Sequence, residues 1–200
     1  MAGLLAGLDE ARERWHTLRH PFYQRWERGE LSREDLAVYA SQYRHAVVAL
    51  ADLAATGGET EHARDEEAHI ALWDDFARAC GSEAAAPTVE TRALVDAFAA
   101  AGPGAEADAV LYAIESAQPP ISRTKLDGLV THYGFAGDGP ETAYFRLHAE
   151  LDVEHADQAA ARLDGAPVDA PLRCAERALQ RNWELLDGVE RLLAEAGSPG

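Results

Sequence analysis

Apolar residues along this chain recur every three to four positions, and no run alternates with a period of two. That pattern predicts helices and no strands. Leu8 to Trp15 reads as an amphipathic opening. His20-Pro-Phe-Tyr23 to Gly29 follows, with Pro21 suited to a helix start and Gly29 to a stop. Ser32-Arg-Glu-Asp35 is a capped entry to a helix whose stripe is Leu36, Tyr39, Tyr43, Val47 and Leu50. That helix ends near Gly57-Gly58. The next runs from about Glu59 to Cys80 and closes at Gly81. Thr88 caps another to about Ala101, and one more spans Ala105 to Ser116 before Pro119-Pro120 interrupts. Ser122 starts a helix to Tyr133. Pro140 lies near the start of a long helix to Leu163, and a final helix reaches about Ala196. The expected architecture is all-α, a bundle of roughly seven or eight helices in one domain over residues 1–200, with no repeat and no internal boundary.

Composition narrows the function classes. The net charge of −17 argues against nucleic acid and anionic membranes, because such a chain repels phosphates. No apolar run is long enough to span a bilayer, and the N-terminus lacks the basic start of a secretory leader. Cys80 and Cys174 read as free thiols of a reducing compartment, so a cytoplasmic protein is expected. Of the 18 basic residues only Lys125 is a lysine.

The chemistry concentrates in a few stretches. His148, Asp152 and His155 fall at i, i+4 and i+7, on one face of a helix. Glu66 and His69 form Glu-x-x-His, a spacing that brings both side chains to one cavity in a bundle. His62 shares that face, and Asp65 is the rival carboxylate. Glu115 follows an apolar run and is either a buried ligand or an exposed acid at a helix end; a buried carboxylate needs a partner or a cation. Glu66, His69, Glu115, His148, Asp152 and His155 would supply mixed nitrogen and oxygen ligands, with His62 as an extra or replacement ligand. Such a set suits iron or manganese better than a structural zinc. Six ligands for two metals leave open positions for dioxygen and a substrate.

His148-x3-Asp152-x2-His155, preceded by Tyr144-Phe145, resembles the terminal metal motif of haem-oxygenase-like di-metal oxidases. The stretches His20-Pro-Phe-Tyr23 with Trp26, Glu66-Glu-Ala-His69-x2-Leu-Trp73-x2-Phe76, and Tyr112-x2-Glu115 with Lys125-x2-Gly128-Leu129 are similar in order and spacing to the CADD-like para-aminobenzoate synthases, relatives of the TenA and PqqC families. The resemblance covers about residues 15 to 190. It implies a haem-oxygenase-like bundle, usually dimeric, with iron in one position, iron or manganese in the second, dioxygen as co-substrate and an external electron donor. It also implies that the enzyme consumes its own side chains. Tyr23 would supply the aromatic ring, Lys125 the amino nitrogen, and Tyr39 a radical relay. Beside that, Phe22, Trp26 and Tyr112 read either as pocket walls or as core packing.

One position departs from that pattern. CADD-like proteins place a glutamate seven residues before the histidine that matches His69; here that place is His62, and the acid is Glu66. Fatty-acid-decarboxylating relatives have the shorter spacing. Two other readings therefore stand beside the first. One is an oxidase, N-oxygenase or C–C cleaving desaturase acting on a separate amino acid or fatty acid. The other is a non-catalytic, TenA-like regulator that kept the bundle. A thiaminase of the TenA type would need a cysteine on the helix after Gly104, and residues 105 to 117 contain none.

Overall fold

A computed structural model describes residues 2–56, 60–149 and 152–196, the side chains of residues 2 and 152–154 excepted. The helices are α1 (Ala2–Arg14), α2 (Pro21–Glu27), α3 (Arg33–Ala55), α4 (Glu61–Cys80), α5 (Val89–Ala99), α6 (Ala105–Glu115), α7 (Gln118–His132), α8 (Ala143–His148), α9 (Asp152–Arg162) and α10 (Asp169–Ala196). Short 3-10 turns at Thr17–Arg19 and Pro140–Thr142 precede α2 and α8. Among the described residues there is no strand, as the spacing predicts, and no helix is long and apolar enough to cross a membrane. Among the described residues the helix count exceeds the seven or eight expected.

Local chemistry explains most boundaries. Ser32 accepts from the Asp35 backbone while Asp35 accepts from Ser32, a full capping box worth about 1 kcal/mol. Thr60 and Thr88 cap α4 and α5 through their side-chain oxygens. Gly81 closes α4 at φ 76°, a conformation open to glycine and costly for other residues.

Three expectations need correction. The first helix starts at Ala2, not Leu8. Its buried face begins at Leu4, and Gly7 is not a breaker there: a Cβ at that position would sit 3.0 Å from Leu172 of α10. Pro119 and Pro120 do not interrupt the chain. They lie in the first turn of α7, where a missing N–H costs nothing, and the helix begins at Gln118 rather than Ser122. The single helix expected from Pro140 to Leu163 is a 3-10 turn followed by α8 and α9, with α8 capped at Ala149.

Packing sets the site. α3 lies along α4, α6 along α9 and α10, and α10 also against α5 and α1. Indole and phenol donors tie the layers together. Trp73 Nε1 on α4 donates to the Ala40 carbonyl on α3 (2.9 Å). Trp26 Nε1 on α2 donates to the Lys125 carbonyl on α7 (3.1 Å), and the Tyr133 hydroxyl donates to the Trp26 carbonyl (3.1 Å). Gly128 makes that approach feasible, because a Cβ there would meet the Trp26 ring at 2.6 Å. Two buried polar clusters result, one walled by α4, α6, α8 and α9, the other by α2, α3 and α7.

Candidate metal centre and the buried lysine cluster

The first cluster is built on Glu66. Its one-turn offset from His69 puts Glu66 Oε1 3.1 Å from His69 Nδ1. His62, one turn the other way, brings Nε2 to 4.0 Å of the same oxygen, and His155 Nδ1 from α9 lies 4.0 Å from it. Two trios follow, His62–Glu66–His155 and Glu66–His69–His148, each with ligand atoms within 4.8 Å of one another. Glu66 belongs to both. All five side chains are buried. Glu115 joins through His62, with Nε2 to Oε1 at 2.8 Å.

Of the expected ligands, Glu66, His69, Glu115, His148 and His155 therefore come together. Glu115 ends α6 but is only 1% exposed, so it is not the exposed acid that the sequence left open. Asp152 opens α9 by its backbone, and its side chain lies outside the described residues. His62 and Glu66 are not alternatives, since both reach the same point. Asp65, the rival acid, is half-exposed, 3.6 Å from His155 Nε2.

The cluster's electrostatics suit a cation. Burial lowers the pKa of His62 and His155 and brings that of His148 to about 4, so these rings are neutral and offer lone pairs at pH 7. Nδ1 of His148 donates to the Tyr144 carbonyl (2.7 Å), which leaves Nε2 as the ligand atom. Burial and the charge on Glu66 push Glu115 well above the usual carboxylate range. Burial pushes Glu66 up as well, but the imidazoles, His69 foremost, outweigh it and hold it below its ordinary value.

Buried polar atoms are ordinarily satisfied. Yet His69 Nδ1, His155 Nδ1 and Glu115 Oε2 are buried with no hydrogen-bond partner among the described residues. The His69–Glu66 approach is also out of hydrogen-bond alignment despite its 3.1 Å. Two ligands each about 2.1 Å from an octahedral metal lie about 3 Å apart. The donor set fits a cation that is bound by neutral imidazoles and carboxylates.

The second cluster holds Tyr23, Tyr39 and Lys125, all buried. Lys125 Nζ donates to the Tyr39 hydroxyl (2.9 Å), and the two hydroxyls of Tyr23 and Tyr39 are 2.8 Å apart. The amine sits over the rings of Tyr23 and Tyr43, 4.6 and 4.9 Å from their centroids. With no carboxylate beside it among the described residues, burial brings the Lys125 pKa to about 7, so a large fraction is the neutral amine. Burial keeps both phenols protonated, their pKa values raised well above the usual range. Phe22 stacks on Tyr39 (5.1 Å, 30°) and Trp26 stands edge-on to it (5.5 Å), so both wall this cluster. Tyr112 does not: its hydroxyl donates to Asp9 at the surface (3.0 Å), on the side of α6 turned toward α1.

Sequence reasoning misses the place of Tyr43 and Trp73 beside these clusters. In the sequence Tyr43 is one more stripe position. Its spacing of four from Tyr39 is the available signal.

The fold and this cage define a helical-bundle, non-haem metalloprotein. A family profile described as iron-containing redox enzyme matches residues 39–188, and the chain belongs to that family. Its relatives include proteins named 4-aminobenzoate synthase. That of Chlamydia trachomatis is 32% identical over 96% of this chain and 91% of its own. That of Chlamydia muridarum is 34% identical over 78% and 76%, and that of Nitrosomonas europaea 32% over 87% and 85%. Among solved structures, a domain of unknown function with a heme oxygenase-like fold from Shewanella denitrificans aligns at TM-score 0.74. It covers 95% of this chain and 94% of its own, at 18% identity, and so shares the fold. The haem-oxygenase-like bundle is thus as expected, and the protein is an iron-binding oxidoreductase.

Proposed function

We propose that this chain makes 4-aminobenzoate from its own Tyr23 and Lys125, using two metal ions held around Glu66. The observation that carries this reading is Lys125: the sole lysine is buried, hydrogen-bonded to one tyrosine and lying over the ring of another, with no counter-ion among the described residues. Burying an amine without a carboxylate partner is costly and is rarely retained for packing alone. The relatives named 4-aminobenzoate synthase, aligned along nearly the whole chain, point the same way.

In this reading His62, Glu66 and His155 hold one metal, and Glu66, His69 and His148 the other, with Glu115 and Asp152 completing the set. One position takes iron and the second iron or manganese. When bound, the pair reduces dioxygen and so supplies the oxidising equivalents. Everything else is the work of side chains. The Tyr23–Tyr39 hydrogen bond fixes the phenol that is oxidised. Lys125 stands as a neutral nitrogen donor against the Tyr23 ring. Phe22, Trp26 and the surrounding rings exclude water from both. An external donor returns the metals to their reduced state. The protein acts as a cytoplasmic homodimer of one-domain chains.

The experiment is the pair Lys125→Arg and Tyr23→Phe in iron-loaded protein given reductant and air. Aminobenzoate is expected to vanish in both while iron content stays that of the unaltered chain; product from both variants ends the proposal. Yield should also rise with pH through about 7, as Lys125 loses its proton.

A specific feature favours a second reading. A cleft of about 350 Å³ opens beside His62, between Leu53, Ala107, Leu111 and the Arg162–Asp108 ion pair. A small external substrate could enter there. An oxidase of that kind would leave Lys125 dispensable, so the same two variants separate the readings.

A further inference from the structure

The two clusters are joined by a continuous run of aromatic rings. Tyr144 stacks on His148, with centroids 3.9 Å apart and planes at 26°. Trp73 meets Tyr144 edge-on at 4.9 Å. From Trp73 the contacts lead to Tyr43 at 5.0 Å and to Tyr39 at 5.8 Å. Tyr39 then reaches the Tyr23 hydroxyl. Two one-turn spacings build the run: His69 and Trp73 on α4, Tyr144 and His148 on α8. Each helix thus carries a metal-ligand candidate and, four residues on or back, a ring facing the other cluster. All members are buried, and Trp73 is fully so. Large rings in such T-shaped and offset contacts are ordinary core packing. Their order here is not: every ring in the run is oxidisable, and both ends fall on chemistry.

We propose that Trp73 and Tyr144 are relay residues that carry electrons one at a time from the Tyr39–Tyr23 pair to the oxidised metal centre. This rests on the self-consuming reading above. The oxidant is the centre after its reaction with dioxygen. For the first equivalent, the centre gains one electron from Trp73 through the Tyr144 ring. Trp73 keeps its indole proton, because its N–H is held by the Ala40 carbonyl, and is left as a radical cation. One electron from Tyr39 refills it, and the Tyr39 proton passes to the neutral Lys125 amine 2.9 Å away. Tyr39 then takes a hydrogen atom from Tyr23 across their 2.8 Å hydrogen bond. In sum Tyr23 loses one electron to the centre and one proton to Lys125. Tyr39, Trp73 and Tyr144 end unchanged.

The test uses the full chain loaded with ferrous iron and mixed with oxygenated buffer. Oxidation of the centre is followed optically, radicals by freeze-quench electron paramagnetic resonance, and Tyr23 loss by intact mass. Trp73→Phe should oxidise its centre as the unaltered chain does, yet form tyrosyl radical and lose Tyr23 at least tenfold more slowly. Trp73→Tyr, which restores an oxidisable ring but not the indole bond, should recover much of the rate. Tyr144→Phe keeps the stacked ring and should slow the radical without changing iron content. The relay is overturned if Trp73→Phe matches the unaltered chain, or if Trp73→Phe and Trp73→Tyr are equally impaired, which would mean packing alone. If the unaltered chain shows neither radical nor mass loss, the self-consuming reading falls and the relay with it. If it shows both and the variants match it, only the relay falls.

Discussion

The two buried polar clusters of this bundle solve the same problem in opposite ways. Around Glu66, buried nitrogens and an oxygen lie close together and stay unpaired: His69 Nδ1, His155 Nδ1 and Glu115 Oε2. Around Lys125 the polar atoms are paired among themselves, amine to phenol and phenol to phenol. Among the described residues the donor set of the first cluster fits a cation, whereas the polar atoms of the second satisfy one another. Yet the second carries the more costly group, an amine with no acid beside it among the described residues. On the proposed reading, the difference separates a place that binds a reagent from a place that is one. Burial lowers the basicity of His148 and of Lys125 for the same reason, and on the proposed reading to different ends: a lone pair for a metal in one, a nucleophilic nitrogen in the other.

Changes at Glu66 should separate the clusters most sharply. Because Glu66 belongs to both trios, Glu66→Ala is expected to leave almost no iron by metal analysis and no product. His155→Ala should leave about one iron per chain, because it removes one trio only. Equal iron in the two variants would mean that the trios are not separate sites.

Lys125→Met probes the other side and should leave iron untouched. The unfolded amine titrates above about 10, and the folded one at about 7. Between these values the unfolded chain binds more protons, so stability rises with pH; below 7 the full penalty applies. Lys125→Met should therefore stabilise the protein by several kcal/mol at pH 6, since a tenfold change in proton affinity is worth about 1.4 kcal/mol. The gain should shrink progressively toward pH 10. Thermal unfolding at the two pH values measures this. A pH-independent gain would mean that Lys125 keeps its ordinary basicity when buried.

The smallest change expected is at Tyr112. Tyr112→Phe removes one surface hydrogen bond to Asp9 and should alter stability by no more than about 0.5 kcal/mol, with product yield unchanged. Loss of product would put Tyr112 in a pocket that its position does not reach.

Much of the fold and site is legible in the sequence, because spacing within one helix is local. Glu66 and His69 pair from the 3.6-residue repeat alone, and the capping signals at Ser32 and Thr88 mark their helices. Lys125 stands out by being the only one of its kind. What stays hidden depends on contacts between helices. Pro119 and Pro120 look like a gap until the first turn of α7 absorbs them. His62 and Glu66 look like rivals for the cage, because one helix cannot reveal that a second carboxylate, Glu115, comes to meet His62 from α6. Tyr112 looks like a pocket residue one turn before Glu115, yet its hydroxyl reaches Asp9 of α1. The Tyr144–Trp73 contact joins two helices about seventy positions apart, and no periodicity reports it.

The central claim is that the chain supplies its own nitrogen, and the uniqueness of Lys125 makes it directly measurable. Protein grown with 15N at the lysine side chain carries the label at a single atom of a single residue. After iron loading, reduction and exposure to air, mass spectrometry of the small-molecule fraction should find 4-aminobenzoate bearing 15N, formed no more than once per chain. Aminobenzoate that carries only unlabelled nitrogen, or that accumulates over many turnovers, would contradict the account.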